Sequence, residues 1–347
     1  MTFWMLLRAA VASRPARRLA FALAALVVAD RFEPAVLRGL EAAHYEDPAR
    51  DFRFENSDLF ALGPLVSYLR EHPHGQGRRV LFLGNSVTFG YGVGASEALP
   101  AGYQRLDTSA KVFNVGINMF PLAGSYLIAK ATIDSVDLTY ALLDPPTVAP
   151  VPSVLPRLIP VDEADLAQFR LPAPSETERI LSGPVNHWRL YRDAYRLQAA
   201  LFGSSTQQYL YLHKGAVARA LIARLRAAER PAAASDASVT IHVPMSGAMP
   251  DEARQRDLRN DRPMLWRFGD LFRSRRRPVI MLQIAGYSRE LADPVVGDFN
   301  RVYAPYAKVV VIHLPAQLTL DGFHLNGAGA DQLARALWNV RPQDTDR

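Results

Sequence analysis

Two short stretches of the chain contain the residue types that activate a hydroxyl as a nucleophile. Residues 79–94 read RVLFLGNSVTFGYGVG, in which an apolar run is followed by Ser86. Much later, LTLDGFHLNGAG places Asp321 and His324 three residues apart. A serine hydroxyl becomes a nucleophile when an imidazole can take its proton, and the imidazole needs an acceptor that orients it. Ser86, His324 and Asp321 therefore have the residue types of a nucleophile, a base and the carboxylate that orients the base.

Four apolar segments predict the strands that would position these residues. They span residues 80–84, 238–245, 277–285 and 307–314, and each is short and rich in Val, Ile and Leu, as buried parallel strands are. Helical patterns over 214–229 and 328–340 lie between or after them. This alternation predicts an α/β fold with three layers (α/β/α) and a mostly parallel central sheet. Ser86 and His324 would then both emerge at the carboxyl edge of that sheet, where they can meet.

Three motifs resemble those of one hydrolase family. GNSVTFG resembles the serine block of the SGNH (GDSL-like) hydrolases, VFNVGINMF (112–120) resembles their second block, and DGFHLN resembles their C-terminal Asp-x-x-His block. The resemblance covers about residues 78–340 and implies an SGNH/flavodoxin-like domain. It implies that Ser86, His324 and Asp321 form the triad, that the N–H groups of Ser86 and Gly116 stabilise the oxyanion, and that neither metal nor cofactor takes part.

The third block departs from the family pattern. The family ends its central strand with an Asn whose side chain is a further oxyanion donor, whereas this chain has Asp144, Pro145 and Pro146 there. Asn118 and Thr147 are the alternative donors. Loss of one such donor lowers turnover by about 10² to 10³. The smaller departure is Asn85, which stands where the serine block usually has Asp.

Two functions follow from this mixture of kept and lost features. GNSVTFGYGV is most similar to bacterial membrane-attached or exported SGNH proteins, which implies an esterase or O-acyltransferase for an acylated sugar, polysaccharide or other cell-envelope substrate. The alternative is a non-catalytic subunit that uses the same fold in a larger respiratory, photosynthetic or secretory membrane complex.

The N-terminus predicts membrane attachment. Arg14, Arg17 and Arg18 precede LAFALAALVVA (19–29), which is the order of charges and apolar residues in an export signal or an anchor with its N-terminus inside. We interpret residues 1–34 as an anchor in the bacterial inner membrane, with the main domain on the periplasmic side. A cleaved signal and an amphipathic surface helix are the alternatives.

The remaining chain divides around the hydrolase-like domain. Residues 35–77 form a predicted helical lead-in, 78–340 the domain and 341–347 a tail. Within the domain, residues 145–230 form a predicted insertion that begins with eight of the 25 prolines and continues as helix. Such a long insertion is typical of a lid or a partner-binding arm.

Composition excludes several classes of function. The chain has no cysteine, which removes disulfides, thiolate catalysis and Cys-ligated zinc. His72 and His74 have no neighbouring carboxylate cluster, so no metal site is predicted. The net charge of +6 is concentrated at the N-terminus, so nucleic-acid binding is not predicted.

Overall fold

The computed structural model describes residues 14–46, 59, 61–73, 77–143, 150–173, 175–177, 188–202, 238–245, 263–285, 291 and 293–342. Several sequence-based expectations lie outside these residues. They are the helix over 214–229, the third-block residues 144–146, most of the tail and the first 13 residues of the chain.

Twelve helices and six strands are assigned within the described residues. In chain order they are α1 Arg14–Tyr45, α2 Leu62–Glu71, β1 Arg78–Gly84, α3 Ser86–Phe89, α4 Leu99–Leu106, β2 Ala110–Gly116, α5 Leu122–Thr132, β3 Leu138–Leu142, α6 Leu155–Leu158, α7 Glu163–Gln168, α8 Arg189–Arg192, α9 Ala194–Phe202, β4 Thr240–His242, α10 Pro263–Arg275, β5 Val279–Ile284, α11 Asp293–Tyr303, β6 Ala307–His313 and α12 Gly327–Val340.

The strands form one sheet in the order β2-β1-β3-β5-β6-β4. All neighbouring pairs are parallel except β4 with β6, so the predicted mostly parallel sheet is confirmed. The prediction of a buried parallel strand over 238–245 was wrong, because β4 is a three-residue antiparallel edge strand whose side chains are largely exposed. The apolar residues of this segment alternate with polar ones, a pattern that fits an edge strand covered on one face as well as a strand buried on both faces.

Helices cover both faces of the sheet, which gives the predicted three layers. Along β1, Leu81 and Leu83 face one side while Val80 and Phe82 face the other, because successive side chains of a strand alternate. The first side packs against α2, α5, α10 and α11 through Leu65, Leu127, Phe268 and Phe299. The second side packs against α4 and α12 through Leu99, Tyr103, Leu333 and Leu337.

The strand order reverses direction at β1. From β1 the chain moves outward to β2 and then returns across β1 to β3. Crevices form at the carboxyl ends of the strands where such a reversal occurs, because the two following connections leave toward opposite faces. After β1 comes Asn85, which caps α3, and then Ser86. The topology therefore places Ser86 at this crevice.

Helix α1 is continuous over 32 residues. It runs through residue 34, so the predicted limit between anchor and lead-in falls inside one helix. Its C-terminal part is held by buried Glu33, Leu37 and Glu41, whereas residues 18–29 are exposed on every side. Within the described residues, no helix combines the length and the apolar character needed to cross a membrane.

Arg196 on α9 joins two other helices through carboxylates. Its guanidinium donates two hydrogen bonds of 2.8 Å to Glu41 of α1, and two of 2.7 and 2.8 Å to Glu71 of α2. Glu41 is fully buried, and this burial raises its pKa although Arg196 opposes the shift. The described part of the helical insertion is therefore fastened to the N-terminal helix by a desolvated ion pair.

We expect Arg196→Met to lower the free energy of unfolding by about 3 to 5 kcal/mol, because it leaves the Glu41 carboxylate buried without a counter-charge. Urea unfolding measures this, and the double variant with Glu41→Met should recover much of the loss. Arg105→Met is the control, since its ion pair with Asp331 is half exposed and should contribute at most about 1 kcal/mol. A loss for Arg196→Met no larger than the control would contradict this account.

The proline-rich arm is the first part of the predicted insertion, of which residues 150–173 are described. The described part packs on the layer that contains α2 and α5. Leu155 and Ile159 are buried in that layer's core. Lys130 of α5 bonds Asp162 at 2.5 Å and Asp165 at 2.6 Å, which holds α7 in place. In this part of its course, the arm serves as a cover for the layer.

Candidate active site

The backbone around Ser86 is fixed by a cap on one side and a turn on the other. Asn85 precedes α3, and its side-chain oxygen accepts a 3.0 Å hydrogen bond from the N–H of Val87. Helix α3 is a single turn that ends at Gly90, whose N–H bonds to the carbonyls of Ser86 and Val87. Asn85 thus performs the capping that an Asp would perform, and the departure from the family's serine block leaves the turn intact.

A second turn carries the acid and the base. The side-chain oxygen Oδ1 of Asp321 accepts hydrogen bonds from the N–H groups of Phe323 at 3.1 Å and His324 at 2.7 Å. Gly322, which follows Asp321 directly, has a φ of 83°, a conformation that residues with a side chain rarely adopt. The turn is closed by a 2.7 Å bond from the N–H of Leu320 to the carbonyl of His324. These contacts fix the imidazole relative to its carboxylate.

The two turns meet at the carboxyl edge of the sheet. His324 Nε2 lies 3.0 Å from Ser86 Oγ, and His324 Nδ1 lies 2.7 Å from Asp321 Oδ2. Since the carboxylate can only accept, Nδ1 carries the proton, and Nε2 is left to accept the hydroxyl proton of Ser86. The structure therefore brings together the three residues predicted as a triad, in hydrogen-bonding order.

The site is accessible on its acidic side. Ser86 is 9% exposed, whereas the Asp321 side chain is 52% exposed. Partial burial acts to raise the pKa of Asp321, but the hydrogen bonds donated by the His324 ring and backbone outweigh it, so the pKa lies below its ordinary value. Asp321 is therefore ionised at every pH above the ordinary carboxyl pKa.

The oxyanion role predicted for Gly116 needs correction. Its N–H donates a 2.9 Å hydrogen bond to the side-chain oxygen of Asn114 two residues earlier, so it is already committed. Gly116 has a different use, because a Cβ at this position would lie 2.2 Å from the backbone nitrogen of Phe89. The glycine therefore lets the end of β2 approach α3. The only sign of the Asn114 hydrogen bond in the sequence is an Asn two residues before the glycine, a spacing at which Asn side chains often bond to the backbone.

The turn that follows β2 offers other donors. Ile117 closes the strand with a bond to Gly84, and Asn118 and Met119 form the turn. Within the described part of the chain, the backbone N–H groups of Asn118 and Met119 make no backbone hydrogen bond. Met119 has a φ of 56° and is 74% exposed, an uncommon conformation for a residue with a side chain. Ser86 offers its own N–H as the first residue of α3.

Sequence reasoning did not identify Tyr91 as part of the site. The centroid of its ring lies 4.9 Å from that of the His324 ring. Its backbone N–H donates a 2.9 Å hydrogen bond to the carbonyl of Ser86. The signal was present as GYG directly after the serine helix, but the contact depends on how the His324 turn folds back. Tyr91 restricts the imidazole on one face and leaves half of its own ring exposed.

We expect Tyr91→Ala to lower turnover about 2- to 13-fold, since ring contacts of this kind contribute about 0.5 to 1.5 kcal/mol. Tyr91→Phe keeps the contact and should keep the activity. The measurement is kcat for an aryl ester, with KM followed separately. Equal activity of the alanine and phenylalanine variants would show that the ring does not position His324.

Within the described residues, no group of three or more His, Asp or Glu side chains could hold a metal ion. The third-block residues Asp144, Pro145 and Pro146 lie outside the described ranges, so the predicted loss of that donor stays a prediction.

Comparison with known proteins gave no match, either to a protein-family model or to a curated sequence. The resemblance to SGNH hydrolases therefore depends on the three motifs alone.

Proposed function

We propose that this protein is an SGNH-type serine esterase or O-acyltransferase that acts on an acylated carbohydrate or another cell-envelope substrate. The observation that carries the proposal is the hydrogen-bonded order Ser86, His324, Asp321, with distances of 3.0 and 2.7 Å. Residues 238 positions apart meet in this order, which a structural serine or a surface ion pair does not require.

The proposed reaction passes an acyl group through Ser86. Its Oγ attacks the ester carbonyl while Nε2 of His324 takes the hydroxyl proton, and the resulting imidazolium is stabilised by Asp321. Collapse of the tetrahedral intermediate breaks the ester bond, and His324 returns the proton to the leaving alcohol. Water or a sugar hydroxyl then attacks the acyl-serine with His324 again as the base, which releases an acid or a new ester.

Donors for the negative oxygen would come from two backbone turns. The N–H of Ser86 is one, and the turn at Asn118 and Met119 replaces Gly116 as the source of the second. A site with these two donors would lack a third. Loss of one such donor typically lowers turnover by about 10² to 10³.

The surroundings of the triad favour a ring-shaped or acyl-bearing substrate. Tyr91, Met119 and Leu320 are exposed apolar side chains on the segments that flank the site. The exposed half of the Tyr91 ring gives a flat surface of the kind on which sugar rings pack. This supports an acylated sugar over a small soluble ester.

The test is hydrolysis of a panel of aryl esters and O-acetylated oligosaccharides, each with and without an added sugar acceptor. Release of acetate or transfer of the acyl group, with a preference for the sugar esters, supports the proposal. Folded protein that turns over none of them would favour the alternative, a non-catalytic subunit of a membrane complex.

We also propose attachment to the bacterial inner membrane through the N-terminal segment, with its N-terminus inside and the main domain on the periplasmic side. Support comes from the exposed apolar residues 19–29 of α1 and the arginines that precede them. Full-length protein should pellet with membranes and resist extraction by carbonate. Recovery in the soluble fraction after carbonate would contradict attachment by this segment.

A further inference from the structure

The N-terminal part of α1 projects from the domain as an apolar helix without a protein partner among the described residues. Residues 18–29 are all exposed, including Phe21, Val27 and Val28 on different sides of the helix. A helix that is apolar all round is stable when it is surrounded by lipid or by protein. The first α1 residue that is buried against the domain is Glu33.

A second element lies at the point where this helix leaves the domain. The N–H of Leu190 in α8 donates a 3.0 Å hydrogen bond to the carboxylate of Asp30. The flanking residues Trp188 and Tyr191 are 47% and 66% exposed. Two exposed aromatic residues therefore lie beside the C-terminal end of the apolar stretch, and α8 packs against α1 there.

We infer that Trp188 and Tyr191 form an aromatic collar that contacts the bilayer surface next to the inserted helix. The inference rests on the membrane attachment proposed above and adds a second contact to it. Trp and Tyr are enriched at membrane interfaces, because their rings are apolar while their N–H and O–H groups stay hydrated.

Charges at the same level fit anionic headgroups. Arg31 is exposed one residue after Asp30, and Arg189 adjoins Trp188. Basic residues near a membrane surface are attracted to anionic lipids. The occupant of the collar is therefore a lipid surface that carries negative charge.

The collar would also fix the orientation of the domain. Alone, an inserted helix leaves a domain free to rotate about it. Because α9 is fastened to α1 by Arg196 and Glu41, a second contact from α8 would hold the domain at one angle to the bilayer.

The experiment uses the absence of cysteine in the chain. Single-cysteine variants of the full chain, Phe21→Cys, Tyr191→Cys and Met245→Cys, each carry an environment-sensitive fluorophore and are mixed with vesicles of phosphatidylcholine and phosphatidylglycerol. Met245 is the matched control, since it is 63% exposed and lies beyond the edge strand β4. Nitroxide lipids quench the label according to its depth.

We expect the label at 21, nine residues or about 13 Å along the helix from Asp30, to be quenched by deep nitroxides, the label at 191 by shallow ones, and the label at 245 by neither. Trp188→Ala combined with Tyr191→Ala should weaken vesicle binding several-fold, whereas Met245→Ala should leave it unchanged. A label at 191 that stays aqueous while the label at 21 is protected overturns the collar and leaves the anchor standing. Aqueous labels at both positions overturn the attachment itself. Protection of both without lipid, in a dimer, assigns the surface to a second copy of the chain.

Discussion

Ser86→Ala should lower ester turnover by a factor on the order of 10⁴ to 10⁶, as loss of the nucleophile does in serine hydrolases. The expected loss is large because Ser86 Oγ is the atom that would carry the acyl group, and no other hydroxyl hydrogen-bonds to His324 within the described residues. Initial rates on an aryl ester measure it directly.

The matched control is Ser125→Ala, which removes a buried hydroxyl from α5 outside the site. The free energies of unfolding of the Ser86→Ala and Ser125→Ala variants should differ by at most about 1 kcal/mol, since small substitutions of this kind commonly fall in that range. Turnover by Ser86→Ala within tenfold of the wild type would mean that another group performs the reaction.

Asp321→Asn should lower kcat by about 10² to 10⁴, with 10⁴ the loss seen when the equivalent change sets the wrong histidine tautomer in a buried triad. An Asn amide that donates to Nδ1 forces the ring proton onto Nε2, where it can no longer accept the proton of Ser86. We expect a loss below that upper value because Asp321 is half exposed, so water can partly replace it.

The pH dependence separates this tautomer effect from loss of charge alone. The lowered pKa of Asp321 means that its hydrogen bonds are fully present above the usual carboxyl pKa of about 3.9, and are lost only as the pH falls through the lower folded value. Wild-type activity should therefore not decline near pH 4 to 5 on account of Asp321, and the Asn variant should stay impaired at every pH. Asp331→Asn, which changes a similarly exposed carboxylate on α12, is the control and should keep wild-type rates. Recovery of the Asp321 variant at high pH would contradict the tautomer account.

The sequence predicted the parts of the site that depend on local pattern. Ser86 follows a continuous apolar run, and Asp321 and His324 are close enough in the chain to share one turn. The sheet brings these turns together because parallel strands present their carboxyl ends at one edge. The mostly parallel sheet and its helices were predicted for the same reason, since apolar strands covered on both faces carry a strong signal.

The sequence could not predict contacts that depend on exact approach distances. Gly116 has the residue type expected of an oxyanion donor, yet its N–H is taken by Asn114 and its missing side chain serves the packing of α3. The position of Tyr91 over His324 depends on two loops meeting. The edge strand β4 was misread because a short alternating segment has the same composition in either environment.

The most direct test of the account is reaction of the folded protein with a fluorophosphonate, followed by mass spectrometry of the intact chain and its peptides. Attack by Ser86 Oγ on phosphorus would expel fluoride while His324 takes the proton. We predict one adduct per chain, on the peptide that contains Ser86, absent from Ser86→Ala and formed far more slowly by His324→Ala. A folded protein that forms no adduct, or forms it on another residue, would contradict the claim that Ser86 and His324 work together.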